Sequence, residues 1–247
     1  MIDVVLMVRD LSAHQRRRLV VQGVSFELRA GQALGVVGSN GSGKTTLLRT
    51  IAGLVSPAAG EVRIGGRVPH EALSRTPTAY FAGEGTLPGF VRASAWGSLG
   101  TGEVLMLDRR RVRTLSRSTR QLLGLRTALG RHPLSLIVLD EPWEGLDPDA
   151  TRWLSSTLAS KRDRGAAVVL SSHRLHDLAG VCDKYLFLTG HLPTLLRAHE
   201  IARSGIVSTD QLVSTFDRLR ERPTTARLEG GAALTDGLVR SRHTGDT

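Results

Sequence analysis

The residues with the clearest chemistry form a glycine-rich run, Gly-Ser-Asn-Gly-Ser-Gly-Lys-Thr, at positions 38 to 45. This run fits the pattern G-x-x-x-x-G-K-[ST], in which glycines let backbone N–H groups converge on phosphate oxygens without interference from a Cβ. Lys44 is placed to reach the outer phosphates, and the hydroxyl of Thr45 is placed to ligate the magnesium ion that accompanies them. The run therefore predicts a binding site for a nucleoside triphosphate.

A second group of polar residues follows two apolar runs later in the chain. Asp140 and Glu141 come directly after Leu136 to Leu139, and His173 follows the run Ala166 to Ser171. Ligands of an α/β sheet bind at the carboxyl ends of its strands, so these polar residues are candidates for the same site. Asp140 would hold magnesium through water, Glu141 would polarise an attacking water, and His173 would sense the γ-phosphate.

The phosphate-binding run lies between a predicted strand and a predicted helix. Ala33 to Val37 is a short apolar run of strand length. After the loop, apolar residues recur at helical spacing at Leu47, Leu48, Ile51 and Leu54. Pro57 then closes the segment, because proline does not continue a helix. The helix is expected to point its positive dipole end at the anion.

The other elements are less regular. Alternation from Val24 to Arg29 predicts an antiparallel strand, and Glu61 to Ile64 predicts another short strand. Tyr80-Phe81 is typical of a strand end within the weakly patterned segment from Pro69 to Arg113. Leucines recur at helical spacing from Leu115, which predicts a helix that begins near Ser116 and ends at Gly130.

Length and composition favour an α/β protein of the cytoplasm. The 247 residues suffice for one domain, or for a core with a modest insert. No apolar run approaches the ~18 residues needed to cross a bilayer, and Met1 to Leu11 lacks the pattern of a secretory signal. Cys182 is the only cysteine, which excludes an internal disulfide and predicts a small buried residue.

The net charge of +10 permits an anionic partner. Arginine dominates, since only three of the 33 basic residues are lysines, and it clusters at residues 16–18 and 109–120. These clusters could face phosphates of nucleic acid or of lipid headgroups, but a solvated face is the simpler interpretation. Aromatic residues make up 4% of the chain and are not interleaved with the arginines, so we expect no nucleic-acid partner.

From about residue 4 to residue 190, the order of motifs resembles the nucleotide-binding subunit of ATP-binding cassette (ABC) transporters. The resemblance implies an α/β fold with a P-loop NTPase core of ABC ATPase type, an antiparallel β edge and a short inserted helical subdomain. It also implies that two such domains, as a homodimer or a heterodimer, pair head to tail around two ATP molecules. The expected partner is a membrane-spanning permease subunit, which would place the chain at the inner face of the cell membrane.

The resemblance assigns roles to the residues that match. Asp140 becomes the magnesium-site acid of Walker B, Glu141 the catalytic base and His173 the switch histidine. Thr45 is the second expected magnesium ligand. The Walker A residues expected to bind ATP are Gly38, Ser39, Asn40, Gly41, Ser42, Gly43, Lys44, Thr45 and Thr46.

Leu115 to Gln121 occupies the place of the family's signature sequence, which usually reads Leu-Ser-Gly-Gly-Gln. Ser116 is accordingly expected to contact the ATP of the opposite subunit, as is Asp147 in the D-loop. Both signature glycines are replaced here, by Arg117 and Ser118. We expect these side chains to weaken the contact with the opposite ATP without abolishing it, with the Arg117 charge favouring the phosphate.

Two further positions depart from the family pattern. The Q-loop glutamine, which links magnesium to the membrane partner, aligns with Gly83. The aromatic residue that stacks on adenine is replaced by His14 or by Gln15, depending on a one-residue choice of alignment. The inserted subdomain is also short, because only 34 residues separate Tyr80 from Leu115.

The resemblance and the patterns together divide the chain into segments. The segments are an ATP-binding core at 1–78 and 131–190, a short helical subdomain with the signature at 79–130, a C-terminal helical extension at 191–222 and a disordered tail at 223–247. In the extension, Ser208 to Gln211 forms a predicted capping box. The apolar stripe predicted on the following helix is Leu212, Val213, Phe216 and Leu219.

These features predict an ATP-binding and ATP-hydrolysing subunit that powers a membrane transporter. The altered signature and the short insert favour an exporter of a drug or peptide. A catalytically weak regulatory cassette is one alternative, favoured by Arg117, Ser118 and Gly83. A non-transport cassette ATPase that acts on nucleic acid or ribosomes is another, favoured by the positive charge. The intact phosphate-transfer residues oppose the first alternative, and the lack of tandem cassettes or long coiled coils opposes the second.

Overall fold

The computed structural model describes residues 4–72, 75–97, 110–131, 133–190 and 193–221. Within these ranges the strands are β1 (Val4–Gln15), β2 (Arg18–Arg29), β3 (Ala33–Gly38), β4 (Ala59–Ile64), β5 (Thr78–Phe81), β6 (Leu136–Asp140), β7 (Ala167–Ser172), β8 (Lys184–Leu188) and β9 (Thr194–Arg197). The α-helices are α1 (Lys44–Ile51), α2 (Pro69–Ala72), α3 (Ala93–Gly97), α4 (Arg117–Leu129), α5 (Pro148–Asp163), α6 (Leu175–Leu178), α7 (Ala198–Ile201) and α8 (Thr209–Arg220). Short 3-10 helices occur at Glu84–Thr86 and Val112–Thr114.

Two sheets form the frame of the molecule. β1 lies between β2 and β4 in an antiparallel sheet, and the larger sheet has the order β5-β6-β7-β3-β8-β9. Neighbours in the larger sheet are parallel except for β8 and β9. β3, β6 and β7 are buried along their whole length, as expected for parallel strands covered on both faces. The predicted α/β fold with an antiparallel β edge is confirmed.

Helix α1 lies between the two sheets. Its residues Leu47, Leu48 and Ile51 share one apolar core with side chains of both sheets. The other face of the larger sheet packs against α4, α5 and α8. Because β6, β7 and β3 are neighbours, the residues that follow these strands meet at one edge of the sheet.

The end of α1 differs from the prediction. The helix stops at Ile51, and Gly53 follows with a left-handed φ of +74°. Leu54 therefore lies outside the helix and is 60% exposed, so the prediction that it continues the apolar stripe was wrong. A left-handed residue turns the chain away from the helix axis, which is why the helical spacing loses its meaning there.

The described part of the inserted segment has a small core of its own. Ala93, Val112, Leu115 and Leu123 form a buried cluster. Ser116 caps the N-terminus of α4 and Gly130 its C-terminus, as predicted. The helix approaches the larger sheet closely, because Gly124 lies against the ring of Phe81, where a Cβ would collide. Residues 98–109 of this segment lie outside the described residues.

Toward the end of the chain, the capping box of Ser208 and Gln211 is confirmed at the start of α8. The predicted stripe on α8 is wrong at Val213, which is 40% exposed, while Thr215 is buried.

The predicted disordered tail at 223–247 lies outside the described residues, and the division into segments stays a prediction. In the described part of the chain, no helix has the length and apolar character to cross a bilayer.

Cys182 is buried, as predicted, two residues before β8. Its Sγ atom would lie 3.1 Å from a Cβ at Gly35, so the thiol sits directly against β3. Burial raises the pKa of this thiol, and burial likewise raises the pKa of Tyr185. The Tyr185 hydroxyl donates a hydrogen bond to the carbonyl oxygen of Leu178 at 3.1 Å.

Candidate functional site

The glycine-rich run forms the turn between β3 and α1. Gly41 and Gly43 have left-handed φ values of +80° and +101°. A Cβ at Gly43 would lie 2.8 Å from the carbonyl oxygen of Val20, and a Cβ at Gly38 would collide with the hydroxyl of Ser42. The loop is therefore a tight ring of backbone that larger residues could not form.

The inner side of this ring carries polar groups that suit an anion. Lys44 Nζ donates hydrogen bonds to the carbonyl oxygens of Gly38 at 2.7 Å and Ser39 at 3.3 Å. The hydroxyl oxygen of Ser42 is buried and has no hydrogen-bond partner among the described residues. No side chain caps the N-terminus of α1, which leaves its first N–H groups for another acceptor. Phosphate oxygens would satisfy these groups, so the loop fits the phosphates of a nucleotide.

The predicted loop residues divide by exposure. The exposed ones are Ser39, Asn40, Gly41 and Thr45. The buried ones are Gly38, Gly43, Lys44 and Thr46, while Ser42 is half-buried. Thr45 is thus accessible at the start of α1. Thr46 is buried, and its carbonyl oxygen accepts a hydrogen bond from the Thr50 hydroxyl at 2.9 Å.

The ends of β6 and β7 supply the acidic side of the site. Asp140 ends β6 and pairs in register with Ser171 of β7. The Ser171 hydroxyl donates a hydrogen bond to Oδ1 of Asp140 and accepts one from the backbone N–H of Glu141 at 3.0 Å. Asp140 is only 6% exposed, and a buried carboxylate needs such a donor. Ser171 therefore helps to fix both acids.

Three segments of the chain meet at the carboxylate of Glu141. Its Oε2 atom lies 2.8 Å from Nδ1 of His173 and accepts a hydrogen bond from the backbone N–H of His173 at 3.0 Å. Its Oε1 atom lies 3.4 Å from Nζ of Lys44. A carboxylate held beside an ammonium and an imidazole can orient a water molecule and accept its proton. The phosphate loop and both strand ends thus form one site.

The oxygen ligands in this site fit magnesium bound together with a nucleotide. Asp140 provides a carboxylate and Thr45 an accessible hydroxyl. Among the described residues, no three histidines, cysteines or acids lie close enough together to hold a metal ion by themselves. Magnesium is usually bound by one or two carboxylates together with substrate phosphates and water. The site therefore suits an ion that arrives with the phosphates.

A groove of about 770 Å³ lies between the β1–β2 turn and the phosphate loop. Its lining residues are Gln15, Arg16, Arg17, Arg18, Val20 and Gly41. His14 is exposed on β1 but is not among them. Of the two residues predicted to replace the adenine-stacking aromatic, the structure therefore brings Gln15 and not His14 to the groove beside the phosphate loop.

Two predicted site residues act as helix caps in the single chain. Ser116 Oγ accepts a hydrogen bond from the Thr119 N–H at 3.2 Å, and Asp147 accepts one from the Ala150 N–H at 2.7 Å. No hydrogen bond or ion pair in the described part of the chain joins either residue to Glu141. The structure does not bring these two residues into the site formed by one chain.

The signature residue Arg117 contacts its own chain. Its Nη2 atom donates a hydrogen bond to Oε1 of Glu144 at 2.5 Å, three residues after Glu141. Both side chains are exposed. The guanidinium that was expected to favour a phosphate of the opposite subunit is therefore engaged with Glu144 of its own chain.

Sequence reasoning assigned no role to Ser171. The run Ser171-Ser172-His173 ends β7, and parallel pairing with β6 places Ser171 opposite Asp140. This register could have been found by aligning the two apolar runs from their polar ends.

Gly83 borders a second cavity, of about 210 Å³, together with Asp140 and Glu141. That cavity has no sequence signal other than the glycine itself.

A sequence model described as ABC transporter matches residues 21–144, which is half of the 247 residues. The chain belongs to the ABC transporter family. Its site is accordingly that of an ATP-binding subunit, and ABC subunits of this type are ATPases. The resemblance read from the motifs is confirmed.

Known ABC proteins align with most of the chain. It is 33% identical over 204 residues to the ABC transporter ATP-binding protein YhcH of Bacillus subtilis, covering 74% of this chain and 67% of that protein. It is 33% identical over 202 residues to the zinc import ATP-binding protein ZnuC of Chelativorans, covering 77% and 70%. It is 28% identical over 190 residues to the linearmycin resistance ATP-binding protein LnrL of Bacillus subtilis, covering 68% and 61%.

Solved structures share the ABC fold. The ATP-binding subunit of an ABC transporter superposes with a TM-score of 0.72 at 24% identity, covering 86% of this chain and 99% of that one. A dimeric ATP-binding cassette with ADP and phosphate bound, in a post-hydrolysis state, superposes with a TM-score of 0.66 at 17% identity, covering 78% and 98%. At these identities the likeness supports the fold.

Proposed function

We propose that this ABC subunit hydrolyses ATP at the edge of the larger sheet and thereby powers a membrane-spanning permease subunit. The observation that carries the proposal is the Glu141 carboxylate, held 2.8 Å from His173 Nδ1 and 3.4 Å from Lys44 Nζ. A base placed beside the phosphate loop is what attack of water on a γ-phosphate requires. Membership of the ABC transporter family supports transport as the work that is coupled to it.

Each residue of the site has a distinct task in this proposal. The phosphate loop and Lys44 hold the phosphates, while Asp140 and Thr45 hold magnesium. Bound magnesium would neutralise charge on the phosphate oxygens. Glu141 orients the water and takes its proton. His173 fixes the Glu141 carboxylate through its backbone N–H and its ring, and its other ring nitrogen can face the γ-phosphate.

We propose that the groove at the β1–β2 turn binds the adenine ring of ATP. It borders Gly41 of the phosphate loop and is lined by Gln15 and the arginines at 16–18. A guanidinium is planar and stacks on aromatic rings, so an arginine can replace the aromatic residue usual in the family. We accordingly expect the adenine ring to be held by stacking on an arginine and by the Gln15 amide, and not by His14.

A second ATP-binding domain would complete the site. We propose that Ser116 and Asp147, at the N-termini of α4 and α5, contact the ATP of the opposite subunit. Helix N-termini favour anions, which supports this placement. The dimeric cassette that shares this fold supports pairing as a homodimer or heterodimer.

The proposed permease contact lies on the inserted segment. Phe90 is exposed there and is accompanied by exposed arginines at 92, 111 and 113. An apolar residue among cations suits an acidic, amphipathic segment of a membrane protein. This contact would bring the chain to the inner face of the membrane, and the arginines at that surface suit anionic lipid headgroups.

The direction of transport stays a prediction. The names of relatives include zinc import, molybdenum import and linearmycin resistance. We propose an exporter of a drug or peptide, on the basis of the altered signature and the short inserted segment. Transport assays in inverted membrane vesicles with the native permease would show accumulation for an exporter and none for an importer.

A catalytically weak regulatory cassette is the second candidate. It is favoured by the Arg117–Glu144 ion pair, which occupies the signature, and by Gly83 in place of the Q-loop glutamine. Steady-state ATP hydrolysis by the full complex separates the two functions. Turnover that disappears in Glu141→Gln supports the transporter motor, and turnover no higher than that of Glu141→Gln supports the regulatory cassette.

The partner class is tested by isolating the tagged chain from membranes of its source and identifying the membrane protein that co-purifies. We expect a permease. Salt-dependent, submicromolar binding to RNA or duplex DNA that does not need ATP would instead support the nucleic-acid alternative and reject the transporter assignment.

A further inference from the structure

The backbone at Glu141 has an unfavourable conformation. Its φ is +48°, one of three positive values among non-glycine residues in the described part of the chain. A residue with a Cβ keeps such a conformation only when its surroundings hold it. This turn carries the Glu141 side chain from the end of β6 to His173 and Lys44. Whatever holds the turn therefore also directs the carboxylate.

Gln121 holds the turn from outside the larger sheet. Its Nε2 atom donates a hydrogen bond to the carbonyl oxygen of Pro142 at 3.0 Å and lies 3.4 Å from that of Glu141. The side chain is only 2% exposed, although it belongs to α4 in the inserted segment. A buried donor shared by two successive carbonyls fixes the peptide that joins them.

The same amide faces the smaller cavity. Gln121 Oε1 would lie 4.0 Å from a Cβ at Gly83, and both residues line the cavity of about 210 Å³ beside Glu141. Gly83 has no side chain, so the polar side chains that the inserted segment places at this cavity are Gln121 and Arg117, and Arg117 is hydrogen-bonded to Glu144. Gly124 seats α4 against Phe81, so a shift of α4 on the sheet would move this amide.

We propose that Gln121 is a positioning residue for hydrolysis, which couples the position of α4 to the orientation of Glu141. The proposal rests on the proposed role of Glu141 as the base. When α4 is seated on β5, the amide holds the Glu141–Pro142 peptide and the carboxylate stands at the phosphate loop. ATP binding does not depend on Gln121, because its hydrogen bonds go to the backbone after β6 and not to that loop.

The first test is Gln121→Met, which keeps the volume of the side chain and removes its donor. We expect kcat for ATP to fall about tenfold and KM to stay within about twofold. Thr127→Val is the matched control, because it removes a hydrogen bond to the Leu123 carbonyl on the same helix without touching Glu141. Its kcat is expected to equal that of the unmodified chain.

The second test is Gln121→Glu, which keeps the shape of the side chain. At neutral pH its carboxylate would face the two carbonyl oxygens without a proton to donate, so kcat is expected to fall at least as far as in Gln121→Met. A protonated carboxyl can donate one hydrogen bond, so the ratio of this kcat to that of the unmodified chain should rise as the pH is lowered from 8 to 6. Gln121→Met should show no such recovery.

Two results would overturn the proposal. One is an unchanged kcat in Gln121→Met. The other is that Gln121→Met and Gln121→Glu both lose ATP binding and both unfold at a lower temperature, which would assign Gln121 to the fold alone. Failure of the proposed function looks different, because Glu141→Gln would then hydrolyse ATP at the rate of the unmodified chain.

Discussion

Nζ of Lys44 lies 3.4 Å from Oε1 of Glu141, so the lysine of the phosphate loop and the acid after β6 form an ion pair. Lys44 is nearly buried, and its other partners are two carbonyl oxygens of the loop. An incoming phosphate would compete with Glu141 for the same ammonium. Binding of the nucleotide would therefore loosen one contact of the carboxylate while His173 keeps the other, which leaves Oε1 to interact with water.

Glu141→Gln is expected to retain ATP binding and to lose hydrolysis by at least about 100-fold, because an amide cannot accept the proton from water. The variant should accumulate as an ATP-dependent dimer. Equilibrium binding, phosphate release and size-exclusion chromatography with and without ATP check these outcomes. Turnover at the unmodified rate would remove Glu141 from the role of base.

Lys44→Ala is expected to lose ATP binding itself, because the lysine is the cation that spans the phosphate loop. Equilibrium dialysis with labelled ATP measures this loss directly. Lys161→Ala is a control at another buried lysine, which donates to the Arg131 carbonyl away from the loop. If Lys44→Ala bound ATP as well as that control does, the assignment of the loop would be wrong.

His173→Ala is expected to lower kcat by about 10- to 100-fold, because the Glu141 carboxylate loses the ring contact at 2.8 Å while the backbone contact remains. His176→Ala is the matched control, since His176 is exposed and contacts Asp177 instead. Phosphate-release kinetics on both variants make the comparison. Equal kcat values would show that the His173 ring has no part in hydrolysis.

Restoring glycine in the signature, as Arg117→Gly with Ser118→Gly, is expected to raise ATPase activity several-fold, on the order of 1 kcal/mol of transition-state stabilisation. The double substitution removes two side chains from a place where backbone approaches phosphate, and it also breaks the ion pair with Glu144. Glu144→Gln weakens the ion pair alone, so it separates the two causes. An unchanged or lower rate in the double variant would mean that this signature already suits its partner.

Replacing the three arginines at 16–18 by lysine is expected to weaken ATP binding about fivefold, because lysine keeps the charge but loses the planar stacking group. Binding of inorganic tripolyphosphate should stay the same, since it has no base. Competition against a fluorescent nucleotide measures both affinities. Equal losses for ATP and tripolyphosphate would place the arginines at the phosphates and not at the base.

Tyr185→Phe is expected to change how stability depends on pH. Burial raises the pKa of Tyr185 in the folded chain, so above pH 10 the unfolded chain loses this proton first. The contribution of the tyrosine is thus complete below pH 10 and is lost as the pH rises, at up to about 1.4 kcal/mol per pH unit. Urea unfolding at pH 8 to 11 measures the free energy of unfolding of both proteins, and we expect the two values to converge as the pH rises. A constant difference between them would contradict the raised pKa of Tyr185.

The phosphate loop and the acids after β6 could be predicted because their chemistry is local. The glycines at 41 and 43 need left-handed backbone wherever this loop occurs, and an apolar run that ends in Asp140 and Glu141 has its acids at a strand end. The order of the strands then brings His173 to the same edge. The glycines and the acids are each contained within a few residues of sequence, whereas the strand order is a property of the whole sheet.

The contacts of Gln121 could not be predicted in the same way. Gln121 reaches Pro142 only because Gly124 lets α4 lie against Phe81, and that approach joins segments far apart in the chain. The ion pair of Arg117 likewise depends on where α4 rests. Helical spacing also failed at Leu54, since the left-handed Gly53 ends α1 one turn earlier than the apolar pattern indicates.

The buried Cys182 makes the chain convenient for site-specific labelling. Because it is the only cysteine in the sequence and packs against β3, a maleimide dye would find no accessible thiol on the folded protein. A cysteine introduced at an exposed position of α5, such as Ser155→Cys, would then carry the only dye on each copy. Energy transfer between dyes on two copies would report the approach of two chains during the ATP cycle, with no need to remove a native residue first.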